Sequence, residues 1–191
     1  MNIPVISPLT FFENISWECD ISVSYLIKKY AKLFNIDVGS TFKGLEKISI
    51  YKCNDTGYRF YYPLNISGDD GFYATLSKLD WYYSQWKWEH EQSLEYIKKG
   101  FRVLEAGAGS GYFIKNLSAK IKNIECIGLE LNSSAVAIAK NNGIDVRNES
   151  IEKHAYENKE HYDMVCSFQV LEHIAEVNSF IHSQTQCLKG G

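Results

Sequence analysis

Three glycines at alternate positions, Gly107, Gly109 and Gly111, stand directly behind the apolar pair Val103-Leu104 and the acid Glu105. An apolar run that ends in an acid and then in such a collar reads as a strand turning sharply into a helix. Residues without a Cβ let the turn reach positive φ and let a ligand approach the backbone, while the free amides of the helix's first turn face that ligand. The chemistry such a turn serves is the holding of a nucleotide-like group. Spacing narrows the class. Dinucleotide-binding turns run G-x-G-x-x-G, and Tyr112 stands where their third glycine belongs. A second acid, Glu130, closes the apolar segment Ile127-Gly128-Leu129 nineteen positions beyond Gly111. One helix plus one strand fills that distance, and a carboxylate so placed can accept from both hydroxyls of a ribose. Farther on, Glu172 and His173 are an acid and an imidazole side by side. An imidazole is suited to take a hydroxyl proton near neutral pH, and the same pair can equally cap and brace a following helix.

In this order and spacing the residues resemble the class I S-adenosylmethionine-dependent methyltransferases. The resemblance runs from Gly100 to Gly191 and rests on Glu105-x-Gly107-x-Gly109-x-Gly111, on Glu130, and on Tyr162-Asp163-Met164-Val165-Cys166-Ser167-Phe168-Gln169-Val170-Leu171-Glu172-His173. It implies that Glu105 meets the methionine end of S-adenosylmethionine, directly or through water. Gly107, Ala108, Gly109 and Gly111 would admit the cofactor to the backbone, and Glu130, with Leu131 beside it, would hold the ribose side. Ser150 and Ile151 fall where the adenine would lie, Ser150 standing where the family often has an acid for the exocyclic amine. Phe168 and Gln169 follow the fourth strand, at the switch region where ligands of open sheets gather, and are expected among the cofactor-binding residues. The segment from Gln169 to His173 is similar to the E-x-x-E-H segment of quinone-biosynthesis O-methyltransferases, in which acids and a histidine can bind a divalent metal. Gln169 replaces the first acid here, and a neutral amide is a poor ligand for a hard cation, so no metal is expected. On this resemblance Glu172 and His173 are the candidate catalytic pair.

The elements that must position these residues follow from periodicity. From Phe101 the pattern alternates: strand 102–106, helix 111–121, strand 124–129, helix 133–142, strand 144–147, helix 150–157, strand 162–167, helix 174–188. Such alternation predicts a parallel sheet with right-handed crossovers, an α/β doubly wound, mainly parallel, Rossmann-like sheet. Asn132 suits an N-cap, Asn142-Gly143 a left-handed stop, and Gly190-Gly191 a cap on the last helix. The resembling family has seven strands and four are encoded here, so the chain reads as C-terminally truncated, with the fourth strand left at an edge unless another segment covers it.

Residues 1–99 read as an α+β appendage and a candidate acceptor-binding lid, separate from the cofactor domain at 100–191. Apolar residues from Val23 to Phe34 recur at helical spacing, predicting a helix over Ser22 to Asn35. Ile48 and Ile50, then Tyr58, Phe60 and Tyr62, alternate on either side of Asn54-Asp55-Thr56-Gly57, a hairpin signature that Pro63 closes. Thr56 stands where relatives resembling this part carry a second cysteine, which favours a plain hairpin. Helices are expected over Phe72 to Leu79 and from about Tyr82 to Lys98. The second segment carries Trp81, Tyr82, Tyr83, Trp86, Trp88, Glu89 and His90 and leads straight into the first strand, which should bring it across the strand ends, over the cofactor.

Bulk composition supports a globular chain and removes several classes. The 191 residues are 45% hydrophobic and 23% charged, with a net charge of −3 and basic residues scattered rather than clustered, so nothing favours nucleic acid. Five cysteines without a C-x-x-C argue against a disulfide framework and a zinc ribbon. No basic leader or membrane-length apolar run opens the chain, so a cytoplasmic location and no membrane partner are expected. The reading is methyl transfer to a hydroxyl or amine of a small molecule or sugar derivative. A nicotinamide-dependent oxidoreductase and a non-catalytic S-adenosylmethionine-binding protein are the alternatives.

Overall fold

A computed structural model describes residues 4–66, 68, 70–76 and 86–190. The chain divides into two compact units, Met1–Tyr83 and Ser84–Gly191. The division falls ahead of the composition break at 99/100, because Trp86 and the residues after it pack with the second unit.

In the first unit, strands β1 (Ile15–Ser22), β2 (Lys47–Cys53) and β3 (Arg59–Tyr62) form an antiparallel sheet in that order. The hairpin of β2 and β3 turns through Asn54–Gly57 as its sequence requires. Helix α1 (Val23–Phe34) follows Ser22 and stops at Asn35, which takes the left-handed conformation. Helix α2 (Asp70–Leu76) covers the start of the expected 72–79 helix, and positions 77–79 lie outside the described residues. Val23, Ile36, Val38, Phe42, Ile48 and Leu76 make the core of this unit. Strand β1 is an addition to the predicted elements. Most of its side chains are exposed and its register shifts between Trp17 and Cys19, so it carries little of the one-sided apolar mark by which strands are read.

Positions 82–85 of the next expected helix lie outside the described residues, and from Trp86 on the helix is shorter than expected. Lys87 is extended, α3 covers only Trp88–Ser93, and Leu94–Tyr96 form one 3₁₀ turn. The imidazole Nδ1 of His90 accepts from the Lys87 amide at 3.2 Å, which ends the helix at its N-terminal side. Four parallel strands then form a sheet in the order β6-β5-β4-β7: β4 (Arg102–Ala106), β5 (Glu125–Leu129), β6 (Val146–Arg147) and β7 (Met164–Cys166). Helices α4 (Tyr112–Lys120) and α5 (Ser133–Asn141) connect the first three strands, and α6 (Ile151–Glu157) carries the chain across to β7. Asn132 caps α5 by accepting from the amides of Ser134 and Ala135, and Gly143 supplies the left-handed stop.

Alternation along β4 separates two cores. Val103 packs with Phe113, Ile114, Leu117, Val136 and Ala139 from α4 and α5. Leu104 and Ala106 pack with Ile151 and Ala155 of α6 and with Phe180 and Cys187 of α7 (Val177–Cys187). Helices therefore cover both faces, which is why β4 reads as a continuous apolar run. The direction of winding reverses between β4 and β7, and ligands of open α/β sheets gather outside the strand ends at such a point.

The end of α7 differs from expectation. The helix stops at Cys187, and Leu188 is extended and pairs in parallel with Tyr162, Lys189 donating to the Tyr162 carbonyl at 2.9 Å. Gly190 therefore does not cap the helix, and Leu188 and Lys189 lie beside Tyr162, ahead of β7.

Beneath the sheet, the buried His154 imidazole contacts Glu149 Oε1 through Nδ1 at 2.8 Å and the Tyr162 hydroxyl through Nε2 at 2.7 Å. Burial pushes the Tyr162 phenol up to about 12. Tyr162→Phe removes one partner and leaves the buried imidazole nitrogen unsatisfied, so a loss of about 1–3 kcal/mol is expected in urea unfolding. An unchanged midpoint would show that the contact contributes nothing.

Candidate active site at the strand ends

Glu105 is the last-but-one residue of β4 and is 4% exposed. One of its oxygens, Oε2, is buried without a hydrogen-bond partner. Burial pushes the carboxyl up to about 8, the Glu130 charge adds to this and the Lys87 ammonium opposes it. A desolvated carboxyl with an empty acceptor position in this place is a group arranged for a cationic or hydrogen-bond-donating ligand.

The turn that follows is held by its backbone. The amides of Gly107 and Ala108 both donate to the Leu129 carbonyl at the end of β5, at 2.8 and 2.9 Å. Gly107 has φ +80, and a Cβ built there would collide with Val170 Cγ2; at Gly111, φ +77, it would come within 2.8 Å of Ile144 Cγ2. Both positions therefore combine a conformation hostile to side chains with absent room for one.

Glu130 lies against this turn. Its Oε2 accepts from the Gly109 amide at 2.8 Å, and its Oε1 from the Asn132 amide at 2.8 Å. Glu130 and the glycine collar are thus brought together as the spacing predicts. Asn148 holds the backbone beneath them, its Nδ2 donating to the carbonyls of Glu130 and Leu131 at 2.9 Å each. Leu131 itself is 68% exposed, an apolar side chain standing out beside the acid.

The adenine-side residues have other engagements. Ser150 caps α6 by accepting from the Lys153 amide at 3.3 Å, and the Ile151 side chain is buried in the core beneath the sheet. Glu149, the acid of this loop, is turned inward to His154 and Lys153. No side chain of this stretch is thereby shown aimed at an adenine, and its backbone remains the candidate contact.

On the other flank of β4, Phe168 packs edge-on to His90 at 4.7 Å and to Phe113 at 4.9 Å, while Trp86 stacks on Phe113 at 6.0 Å. Burial and the neighbouring Lys87 charge lower the His90 pKa, against a smaller opposing effect of Glu89. Gln169 takes φ +54 immediately beyond this cluster. Its Oε1 accepts from Lys87 Nζ and its Nε2 donates to Glu89 Oε1, both at 2.8 Å. The segment before β4 therefore reaches the strand ends, through Lys87 and Glu89; Trp88 points outward at 77% exposure, and Trp81, Tyr82 and Tyr83 lie outside the described residues. Glu172 and His173 sit exposed on a 3₁₀ turn, Leu171–His173, at the rim. Among the described residues no three acids, histidines or cysteines converge on a metal position.

This geometry meets a family pattern. The model of the family described as "Methyltransferase domain" matches residues 80–191, more than half of the chain. The chain belongs to this family, as a class I S-adenosylmethionine-dependent member. S-adenosylmethionine is the family's cofactor, and the unpartnered oxygen of Glu105 together with the Cβ-free turn fits it. The methyltransferase domain is 29% identical over 98 residues to a ubiquinone biosynthesis O-methyltransferase of Salmonella newport, covering 48% of this chain and 40% of that one. The chain thus spans less than half the length of the curated relatives it matches. Among solved structures, an S-adenosylmethionine-dependent methyltransferase from Archaeoglobus fulgidus is similar at 20% identity and a TM-score of 0.48, over 53% of this chain and 46% of that one. A coclaurine N-methyltransferase is similar at 17% and 0.48, over 53% and 32%.

Two outcomes test the site. Gly107→Ala forces a side chain into a left-handed residue against Val170, and a loss of about 2 kcal/mol is expected by chemical unfolding, with the turn displaced. For Glu105 the sign follows from a folded pKa of about 8 above an ordinary value of 4.5. The folded state binds the proton more tightly, so the contribution of Glu105 is most favourable below the unfolded value and declines as pH rises towards 8. Glu105→Gln removes that decline. Its melting temperature, measured from pH 5 to pH 9, is expected to gain on the unsubstituted chain as pH rises; parallel curves would refute the buried carboxyl.

Proposed function

We propose that this chain binds S-adenosylmethionine across the ends of β4 and β5 and serves methyl transfer to a hydroxyl or amine of a small molecule or sugar derivative. The observation that carries the reading is the Glu130 carboxylate joined to the Gly109 amide at 2.8 Å, one strand away from the unpartnered oxygen of Glu105. Two carboxyl groups flank a bare backbone turn, a set that matches a ribose, a short thioether or sulfonium link, and an amino-acid end. When bound, the cofactor supplies an electrophilic methyl group on a positively charged sulfur. The chain's part is to hold and orient. Glu130 is proposed to receive the ribose hydroxyls, the turn from Gly107 to Gly111 to lie under the link, and Glu105 to receive the ammonium of the methionine end. Leu131, and the backbone at Ser150 and Ile151, are proposed to border the base. Phe168 forms a fixed aromatic wall on the β7 side, where positioning accounts for most of what a displacement of this kind asks of a protein. Glu172 and His173, on the rim, are proposed as acceptor-side groups. A ubiquinone-pathway relative methylates oxygen by its name, which supports a hydroxyl as the acceptor group.

Calorimetry with S-adenosylhomocysteine and, separately, NAD tests this reading. Adenosylhomocysteine is expected to bind and NAD not to, and Glu130→Ala is expected to weaken the first by about tenfold or more, as loss of hydrogen bonds to a charged group does. Tighter binding of NAD, or an unchanged affinity in the variant, would overturn it.

A further inference from the structure

The sheet of the first unit has two unlike faces. Directly opposed residues of antiparallel strands point to the same side, so the rows Trp17–Tyr51–Phe60 and Asp20–Ser49–Tyr62 cross β1, β2 and β3 on one face. Ile48 and Tyr61 point to the other, where they pack in the core with Val23, Val38 and Leu76. The side away from that core is the aromatic one. Tyr51 stacks on Phe60 at 5.9 Å and meets Tyr62 edge-on at 6.5 Å, and Phe60 stacks in turn on Tyr58 at 6.3 Å. Phe60 is buried in this group, whereas Trp17 is 59% and Tyr62 36% exposed.

A bulge sets an acid beside the exposed indole. Trp17 and Asp20 are three positions apart and in a regular strand would face opposite ways. Between Trp17 and Cys19, β1 has one residue more than β2 has opposite it, so both side chains turn to the same face. Glu18, the added residue, is held by Arg59 at 2.9 Å. Trp17 Nε1 then donates to Asp20 Oδ1 at 2.9 Å. Ser49 Oγ donates to the same oxygen at 2.7 Å, and Lys47 Nζ to Oδ2 at 2.6 Å. The Lys47 bond first, then those of Trp17 and Ser49, hold the Asp20 carboxyl down at about 2. The acid is thus fixed and charge-balanced, and its Oδ2 keeps an acceptor position.

The chemistry of this face selects its occupant. An anion meets the Asp20 carboxylate, and a cation finds it already matched by Lys47. Exposed aromatic surface beside one spare acceptor suits a neutral ring with C–H groups on its flat side and hydroxyls at its rim, since the negative face of an indole attracts such hydrogens. We propose that the face formed by Trp17, Tyr51, Tyr62 and Asp20 binds the pyranose ring of a small-molecule glycoside, with the ring's C–H side on Trp17 and one hydroxyl donating to Asp20 Oδ2. Phe60 and Tyr58 brace Tyr51 from within the sheet, and Ser49 and Lys47 position the acid. The site lies wholly in the first unit and does not depend on the cofactor reading.

Saturation-transfer NMR on the full chain with the methyl glycosides of glucose, galactose, mannose and N-acetylglucosamine tests the proposal. At least one is expected to bind with about millimolar affinity, as a shallow face allows, and to receive magnetisation chiefly at its ring C–H protons. Trp17→Ala is expected to weaken that binding about tenfold and Asp20→Asn about threefold. Trp17→Phe, which keeps a ring and guards against a folding defect in the alanine variant, is expected to weaken it less than Trp17→Ala. Trp88→Ala, which removes an exposed indole of the second unit, should leave it unchanged. Absence of transfer to all of the glycosides would overturn the proposal, as would equal affinity in the unsubstituted chain and both Trp17 variants. Stronger binding of choline or of inorganic phosphate, lost in Trp17→Ala or Asp20→Asn, would replace it with a site for a charged ligand.

Discussion

The desolvated carboxyl of Glu105 is the constraint on which the second unit is arranged. Burial pushes its pKa up to about 8, so at neutral pH the carboxyl lies out of water mainly as a proton-bearing group, on a β4 that is paired on both edges and covered on both faces. Val103 and Leu104 bury in opposite directions beneath it, so the strand cannot slide without moving its whole apolar set to the wrong face. Glu130 and Lys87 then act on it with opposite sign. The balance of a buried acid, a second acid and one cation is a field fixed before any ligand arrives.

The glycine turn converts that field into a site. Gly107 and Ala108 are tied to the carbonyl of Leu129, so the end of β4 and the end of β5 move as one piece. Val170, from beyond β7, fills the space a side chain at Gly107 would take. Three strand ends therefore meet at a single residue lacking a Cβ, and the positions of Glu105, Glu130 and Gln169 all depend on that meeting.

Much of this was legible in the sequence where local rules and tertiary demands agree. The four strands, the crossover helices, the cap at Asn132 and the stop at Gly143 follow from periodicity and from residues with one strong conformational preference. The pairing of Glu130 with the glycine turn followed from a distance along the chain that only one helix and one strand can fill. Elsewhere the cause lay outside local sequence. Of the helix expected over 82–98, the described residues from Trp86 on form six residues of α-helix and a 3₁₀ turn, because Lys87 is extended and bonded to His90, a contact that hydropathy does not encode. Ser150 and Ile151 carry side chains taken up by a helix cap and a core. The contacts of Lys87 and Glu89 are made with an amide 82 and 80 residues away, and only a folded chain brings them to Gln169. Asn148 gave a weaker signal, an amide in a loop between strand and helix, and its grip on the Glu130 and Leu131 carbonyls shows why an amide is suited there.

The line of contacts from Glu149 through His154 to Tyr162 has a mechanical meaning. Tyr162 is the residue on which the chain beyond α7 first pairs, and Glu149 belongs to the loop next to Asn148. One buried imidazole thus ties the residue that meets the chain beyond α7 to the loop that follows β6.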